Sequence, residues 1–133
     1  MARVLVVDDE PANRALLAYL LRYFGHDVAT ACDGASAVRS ARAERPDLVV
    51  MDLAMPGMDG CTAARLIRSE KSLTGIRLLA VSATSTASEE SLRAVGFDGF
   101  YPMPVDPQSF LSFVYSVIDP PAVTGVTGVT GPE

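Results

Sequence analysis

The chain has no tryptophan, one histidine (His26) and two cysteines (Cys32 and Cys61) in 133 residues. It is also short of positive charge: 11 Lys and Arg stand against 16 Asp and Glu, for a net charge of −5 and a pI near 4.8. The scarcity of cations excludes a broad nucleic-acid or anionic-membrane surface, since both need clustered Lys and Arg, and direct DNA contact is not expected. Two cysteines without paired-ligand spacing fit neither a cysteine-based metal centre nor a disulfide framework, and they suit a reducing compartment. No charged leader with an apolar core follows Met1, and no apolar run approaches the roughly 18 residues that span a membrane, so a cytoplasmic location is expected. His26 sits in a Gly-His-Asp turn with no partner motif and reads as a surface turn residue.

What is present is a hydrophobic content of 49%, enough for one domain with an ordinary core. Short apolar runs alternate with helical stretches. Strands are predicted at Val4–Val7, Asp27–Ala31, Leu48–Met51, Arg77–Val81 and Gly99–Met103, and helices at Ala12–Phe24, Gly34–Ala43, Cys61–Arg68, Ser88–Val95 and Asp106–Ile118. Pro11 and Gly25 bracket the first helix, Gly96 ends the fourth, and Asp59 is placed to cap the third. In the first helix Leu16, Leu17, Leu20, Leu21 and Phe24 form the stripe expected to pack on a sheet. Arg39, Arg42, Glu44 and Arg45 read as a solvated face of the second. Pro102 inside the fifth strand belongs at an edge or a bulge, a misfit that an edge strand tolerates. Residues 2–118 are expected to form the domain. Asp119-Pro120-Pro121 stops the last helix, and three Val-Thr-Gly copies then read as a flexible tail or linker over 119–133.

Acidic residues mark the ends of two strands. Asp8-Asp9-Glu10 follows the first, and Asp52 follows the third, just before the Pro56, Gly57 and Gly60 loop. Parallel neighbouring strands would bring Asp8, Asp9 and Asp52 to one sheet edge, where three carboxylates repel unless a cation joins them. Oxygen ligands of this kind suit Mg²⁺.

The segments VLVVDDE, PDLVVMDLAMPGMDG, LLAVSAT and GFDGFYPMP together resemble the receiver domain of two-component response regulators, over roughly residues 2 to 118. The resemblance implies an α/β fold, (βα)5 and flavodoxin-like, with a five-stranded parallel sheet in order 2-1-3-4-5 and helices on both faces. It implies a phosphorelay signalling role in which Asp52 accepts a phosphoryl group from a histidine kinase or phosphotransfer protein. By the same resemblance Asp9 binds Mg²⁺ directly, Asp8 through water, and the Ala54 carbonyl is a further ligand. Ser82 and the N–H of Ala83 hold phosphoryl oxygens. Ser82, Phe100 and Met103 occupy the implied switch positions, and Ala54 and Thr84 flank the path of an attacking water. The bond at Met103-Pro104 matches one that is cis in the family.

One position departs from the family pattern. Met103 stands where the family carries a Lys, and a thioether cannot donate a hydrogen bond to a phosphoryl oxygen. Arg14, early in the first helix, is the cation placed nearest the pocket. Met103 motivates an alternative reading, a phosphorylation-independent pseudo-receiver that acts as a protein-interaction module. An independent aspartyl-phosphate enzyme is disfavoured because Ala54 occupies the place where such enzymes carry a second Asp as general acid. The expected activity is therefore limited to the domain's own phosphorylation and dephosphorylation. Output through a downstream protein partner is expected at a face formed by the fourth helix, fifth strand and fifth helix, where a homodimer is also possible. Phe100 has a plainer reading as packing beneath the fourth helix. Phe110, Phe113, Val114 and Val117 recur at helical spacing and face the core by default, and Leu111 and Ile118 widen that stripe.

Overall fold

Three short apolar runs, 4–7, 48–51 and 78–82, bury both of their faces, which a strand achieves only inside a sheet covered on both sides. The computed structural model describes residues 2–83 and 88–118, so the expectations for Thr84 and for the tail at 119–133 lie outside the described residues. The strands are β1 (Arg3–Val7), β2 (Asp27–Ala31), β3 (Leu48–Met51), β4 (Arg77–Ser82) and β5 (Gly99–Pro102), all parallel, in the predicted order β2-β1-β3-β4-β5. The helices are α1 (Pro11–Tyr23), α2 (Gly34–Glu44), α3 (Gly60–Ser69), α4 (Glu89–Val95) and α5 (Pro107–Ile118), and a 3-10 turn at Lys71–Leu73 joins α3 to β4.

Alternation along each strand builds two cores. Val4, Val6, Val50, Leu79 and Val81 face α1 and α5, where Leu17, Leu21, Phe110 and Val114 meet them. Leu5, Val7, Val49, Met51 and Leu78 face α2, α3 and α4, where Ala37, Ala41, Ile67 and Leu92 meet them. Side-chain caps set three helix starts: Asp33 accepts from the Ser36 N–H, Asp59 from the Thr62 N–H and Ser88 from the Ser91 N–H. Gly96, at φ +126°, ends α4 as expected.

Several details correct the sequence reading. In α1 the buried residues are Leu17, Ala18, Leu20 and Leu21, whereas Leu16 is 43% exposed and Phe24 57% exposed. Leu16 lies 100° round the helix from Leu17, off the centre of the buried stripe. Phe24 caps the helix end, and Gly25 at φ +91° then turns the chain, leaving the Phe24 ring against Tyr23 with centroids 5.6 Å apart. His26 is half-buried, and its Nδ1 accepts from the Ala2 N–H at 3.1 Å, so it pins the start of β1 and is more than a surface turn residue. Burial favours its neutral form and lowers its pKa. β5 ends at Pro102, one residue earlier than expected, and Pro102 is exposed on an edge strand. In α5, Phe110, Leu111 and Val114 are buried and Phe113, Val117 and Ile118 half-buried, as their spacing implied. Arg39, Arg42, Glu44 and Arg45 are exposed, with Arg42 ion-paired to Glu70.

Candidate functional site

Strand register decides what meets at the carboxyl edge. Val7 pairs with Met51, so the next residue on each strand, Asp8 and Asp52, leaves the sheet at the same level, and the Asp52 N–H donates to the Val7 carbonyl at 3.0 Å. Asp8, Asp9 and Asp52 each offer a carboxylate oxygen, and these oxygens lie within 4.8 Å of one another. Asp8 is buried, Asp52 half-buried and Asp9 exposed, which gives the cluster a closed floor and an open mouth. β4 brings Ser82, buried, to the same edge, where its side chain hydrogen-bonds Asp52. Ala83, exposed, follows it, and Ala54, also exposed, donates its N–H to Asp52 Oδ1 at 3.3 Å.

The carboxyls crowd one another. Burial pushes Asp8 up to about 6; the charges of Asp52 and Asp9 add to this, and the Glu10 N–H and the Arg14 guanidinium oppose it. Burial also raises Asp52, with the charge of Asp9 adding, against hydrogen bonds from the Ala54 and Leu53 N–H groups and the Ser82 side chain. A three-carboxylate, oxygen-only cluster of this size fits a hard divalent cation that keeps some of its waters.

The loop below Asp52 is built on close contact. The Gly60 N–H donates to the Leu53 carbonyl at 3.0 Å, and a Cβ on Gly60 would clash with the Asp52 carbonyl oxygen. Only glycine lets α3 begin there. A Cβ on Gly34 would come 2.6 Å from the Met58 carbonyl, so α2 presses on the same loop.

The remaining expected residues sit on the β5 side. The Met103 N–H donates to the Ser82 carbonyl at 3.0 Å, which places position 103 beside the site, but the half-buried Met103 side chain packs against the apolar core under α1 and α5. The Met103-Pro104 peptide bond is cis. Phe100, half-buried, packs against the core under α4, and its neighbour Tyr101 faces α5 instead. Arg14 stands beside the pocket, where its position early in the first helix put it, and Tyr101 makes a contact that no sequence signal marked. Arg14 Nη1 donates to the Asp8 carbonyl at 2.8 Å, and the Tyr101 hydroxyl meets Ser109 Oγ at 2.9 Å while accepting from the Asp106 N–H at 3.3 Å. Arg14 lies four residues after Glu10, one turn into α1, a spacing that turns its side chain back toward the strand end and was readable in principle.

Residues 4–115 match the response regulator receiver domain family. The chain belongs to that family. It is 32% identical over 119 residues to Protein PilH of Pseudomonas aeruginosa, covering 89% of this chain and 98% of PilH. It is 37% identical over 116 residues to sensor protein GacS of Pseudomonas syringae pv. syringae, covering 84% of this chain but 13% of GacS. Against the transcriptional regulatory protein PhoP of Bacillus subtilis the identity is 34% over 121 residues, 87% of this chain and 48% of PhoP, so the receiver spans about half or less of these two longer relatives. Among solved structures, chemotaxis protein CheY4 of Vibrio cholerae superposes with a TM-score of 0.82 at 29% identity, covering 88% of this chain and 98% of that one. The receiver domain of a sensor histidine kinase from Pseudomonas aeruginosa, solved with a magnesium ion coordinated in its active-site cleft, gives 0.80 at 28%, covering 88% and 97%. The receiver is a phosphorelay signalling domain with the CheY-type fold. Receivers act with histidine kinases or phosphotransfer proteins and with downstream effectors. No described helix is long and apolar enough to cross a membrane.

Proposed function

We propose that Asp52 is the phospho-acceptor of this receiver and that Asp8, Asp9, Asp52 and the Ala54 carbonyl hold Mg²⁺. The observation that carries the reading is the convergence of three carboxylates within 4.8 Å beside the Ser82 side chain that hydrogen-bonds Asp52. Bound there, Mg²⁺ neutralises charge on the transferring phosphoryl group. An ionised oxygen of Asp52 forms the new bond to phosphorus as the donor's P–N or P–O bond breaks, and that electron pair leaves with the donor's imidazole or acetate. The hydrogen bonds from the Ala54 and Leu53 N–H groups favour the ionised carboxylate that this step requires. The Ser82 hydroxyl and the Ala83 N–H, on the β4 side, take phosphoryl oxygens once the acceptor is loaded. Catalysis is confined to loading and unloading Asp52.

The output is a changed protein-interaction surface formed by α4, β5 and α5, read in the cytoplasm by a downstream protein or a second copy of the chain. Phe100, Ser82 and position 103 serve as its switch elements. A phosphorylation-independent module is the weaker reading. It rests on Met103, whereas the acceptor, the three carboxylates and the hydroxyl are all in place.

Incubation with Mg²⁺ and acetyl phosphate, followed by intact mass measurement of wild type and Asp52→Ala, tests the proposal. One phosphate-sized increase on wild type alone supports Asp52. An equal increase on both proteins, or none on wild type with Mg²⁺ bound, overturns it.

A further inference from the structure

The loss of a Lys at position 103 leaves the site with three acidic side chains and no ammonium on its β5 flank, yet a positive group stands on the other flank. Arg14 Nη1 donates to the Asp8 carbonyl at 2.8 Å, and its charge acts on the Asp8 carboxyl. Strand order fixes which flank that is. The Asp8 N–H donates to the Ala31 carbonyl of β2, so the Asp8 main chain faces β2, while the Met103 N–H donates to Ser82 of β4. In the order β2-β1-β3-β4-β5, Asp52 at the end of β3 lies between Arg14 and position 103. Arg14 therefore stands by the carboxylates that would hold a cation, across the site from where the family's Lys would reach a phosphoryl oxygen. The anchorage is firm: Asp8 Oδ1 accepts from the Glu10 N–H at 2.9 Å, the Arg14 N–H donates to the Glu10 carbonyl at 3.0 Å, and the guanidinium closes back on Asp8.

We infer that Arg14 is a positioning residue whose charge, held beside Asp8, admits an anionic phosphodonor to the acidic pocket at a cost in Mg²⁺ affinity. The inference rests on the phospho-acceptor reading of Asp52. A cation near the pocket repels Mg²⁺ and attracts a phosphoryl dianion, so its removal moves the two in opposite directions. A purely structural brace behaves otherwise: losing it would loosen the Asp8 turn and weaken Mg²⁺ binding along with phosphorylation.

The test compares Arg14→Met, which keeps an unbranched stem, with Arg14→Lys, which keeps the charge. Mg²⁺ dissociation constants come from titration calorimetry, and phosphorylation rates from intact mass with acetyl phosphate at saturating Mg²⁺. Arg14→Met is expected to bind Mg²⁺ about fivefold more tightly at low ionic strength, the size of one unit charge acting on a divalent ion several ångströms away, and to be phosphorylated about fivefold more slowly. Both differences should shrink toward about 0.5 M salt, and Arg14→Lys should lie near wild type in both. Weaker or unchanged Mg²⁺ binding by Arg14→Met, or an unchanged phosphorylation rate, overturns the inference. If wild type takes no phosphate, the Asp52 reading fails by itself, and the direction of the Mg²⁺ change still decides Arg14.

Discussion

Arg68 and Asp98 join α3 to the strand on the far edge of the sheet: Arg68 Nη2 lies 2.8 Å from Asp98 Oδ2. The same guanidinium donates to the carbonyls of Gly96 at 2.9 Å and Ile76 at 2.6 Å, and Asp98 Oδ2 also accepts from the Leu78 N–H at 2.8 Å. One side chain thus closes the end of α3, the entry to β4 and the turn between α4 and β5, all at the edge opposite the acidic cluster. Arg68→Met would take the cation from Asp98, which keeps the Leu78 N–H, and remove this donor from the Gly96, Thr74 and Ile76 carbonyls. It is expected to lower stability by about 1–3 kcal/mol in urea unfolding. A change below about 0.5 kcal/mol would mean that water replaces the guanidinium without loss.

The pH response of the acidic cluster has a definite sign. With Asp8 raised to about 6 from an ordinary 3.8, the folded metal-free protein holds a proton that the unfolded chain has released. Stability without metal should therefore fall as pH rises through that window and level off above about 6. A cation must displace the same proton, so Mg²⁺ binding should tighten over the window and release protons as it does. Melting curves with and without Mg²⁺ check both halves. The stabilisation by Mg²⁺ should be larger near pH 7.5 than near pH 5, and equal stabilisation at both would show that Asp8 stays ionised throughout.

Gly60 ties the loop to the acceptor strand. Its added Cβ would run into the Asp52 carbonyl oxygen, and backbone cannot swing aside as a side chain does. Gly60→Ala is expected to cost about 1–3 kcal/mol and to weaken Mg²⁺ binding by displacing Asp52. Gly75→Ala is the control, because nothing lies within 4 Å of a Cβ there, and it should leave Mg²⁺ affinity unchanged. Equal effects from the two substitutions would sink the close-contact explanation.

These outcomes separate what the sequence displays from what it hides. Strand ends carry their own signal: an apolar run such as Val4–Val7 or Leu48–Met51 stops at an acid, and parallel pairing of the two runs puts Asp8 and Asp52 side by side. Caps are as visible, since Asp59 and Ser88 act through residues three positions away. Long side chains that cross the fold leave no such trace. Arg68 finds Asp98 across 30 residues, and His26 finds Ala2 across 24, through packing that no local period encodes. Periodicity also overreached in α1, where Phe24 has the right spacing from Leu20 and Leu21 but falls after the last helical turn. At the site, the identity of Met103 was plain while the direction of its side chain, into the α1 and α5 core, was not.

That direction decides what an ammonium at position 103 would do. A Lys at 103 can lay its methylene stem along the apolar cluster that now holds the thioether and carry its ammonium out to the site edge, one hydrogen bond away from Ser82. There it would donate to Asp52 or to a phosphoryl oxygen, a charged hydrogen bond worth about 1.5–3 kcal/mol. Met103→Lys should therefore speed loading by acetyl phosphate about tenfold at saturating Mg²⁺, the lower end of that energy expressed as a rate. Its Mg²⁺ affinity should fall, because a second cation then faces the pocket. Intact mass over time and calorimetric titration measure the two effects. Unchanged loading would mean that position 103 does not reach the acceptor, and that the charge balance of this receiver is set from the β1 side alone.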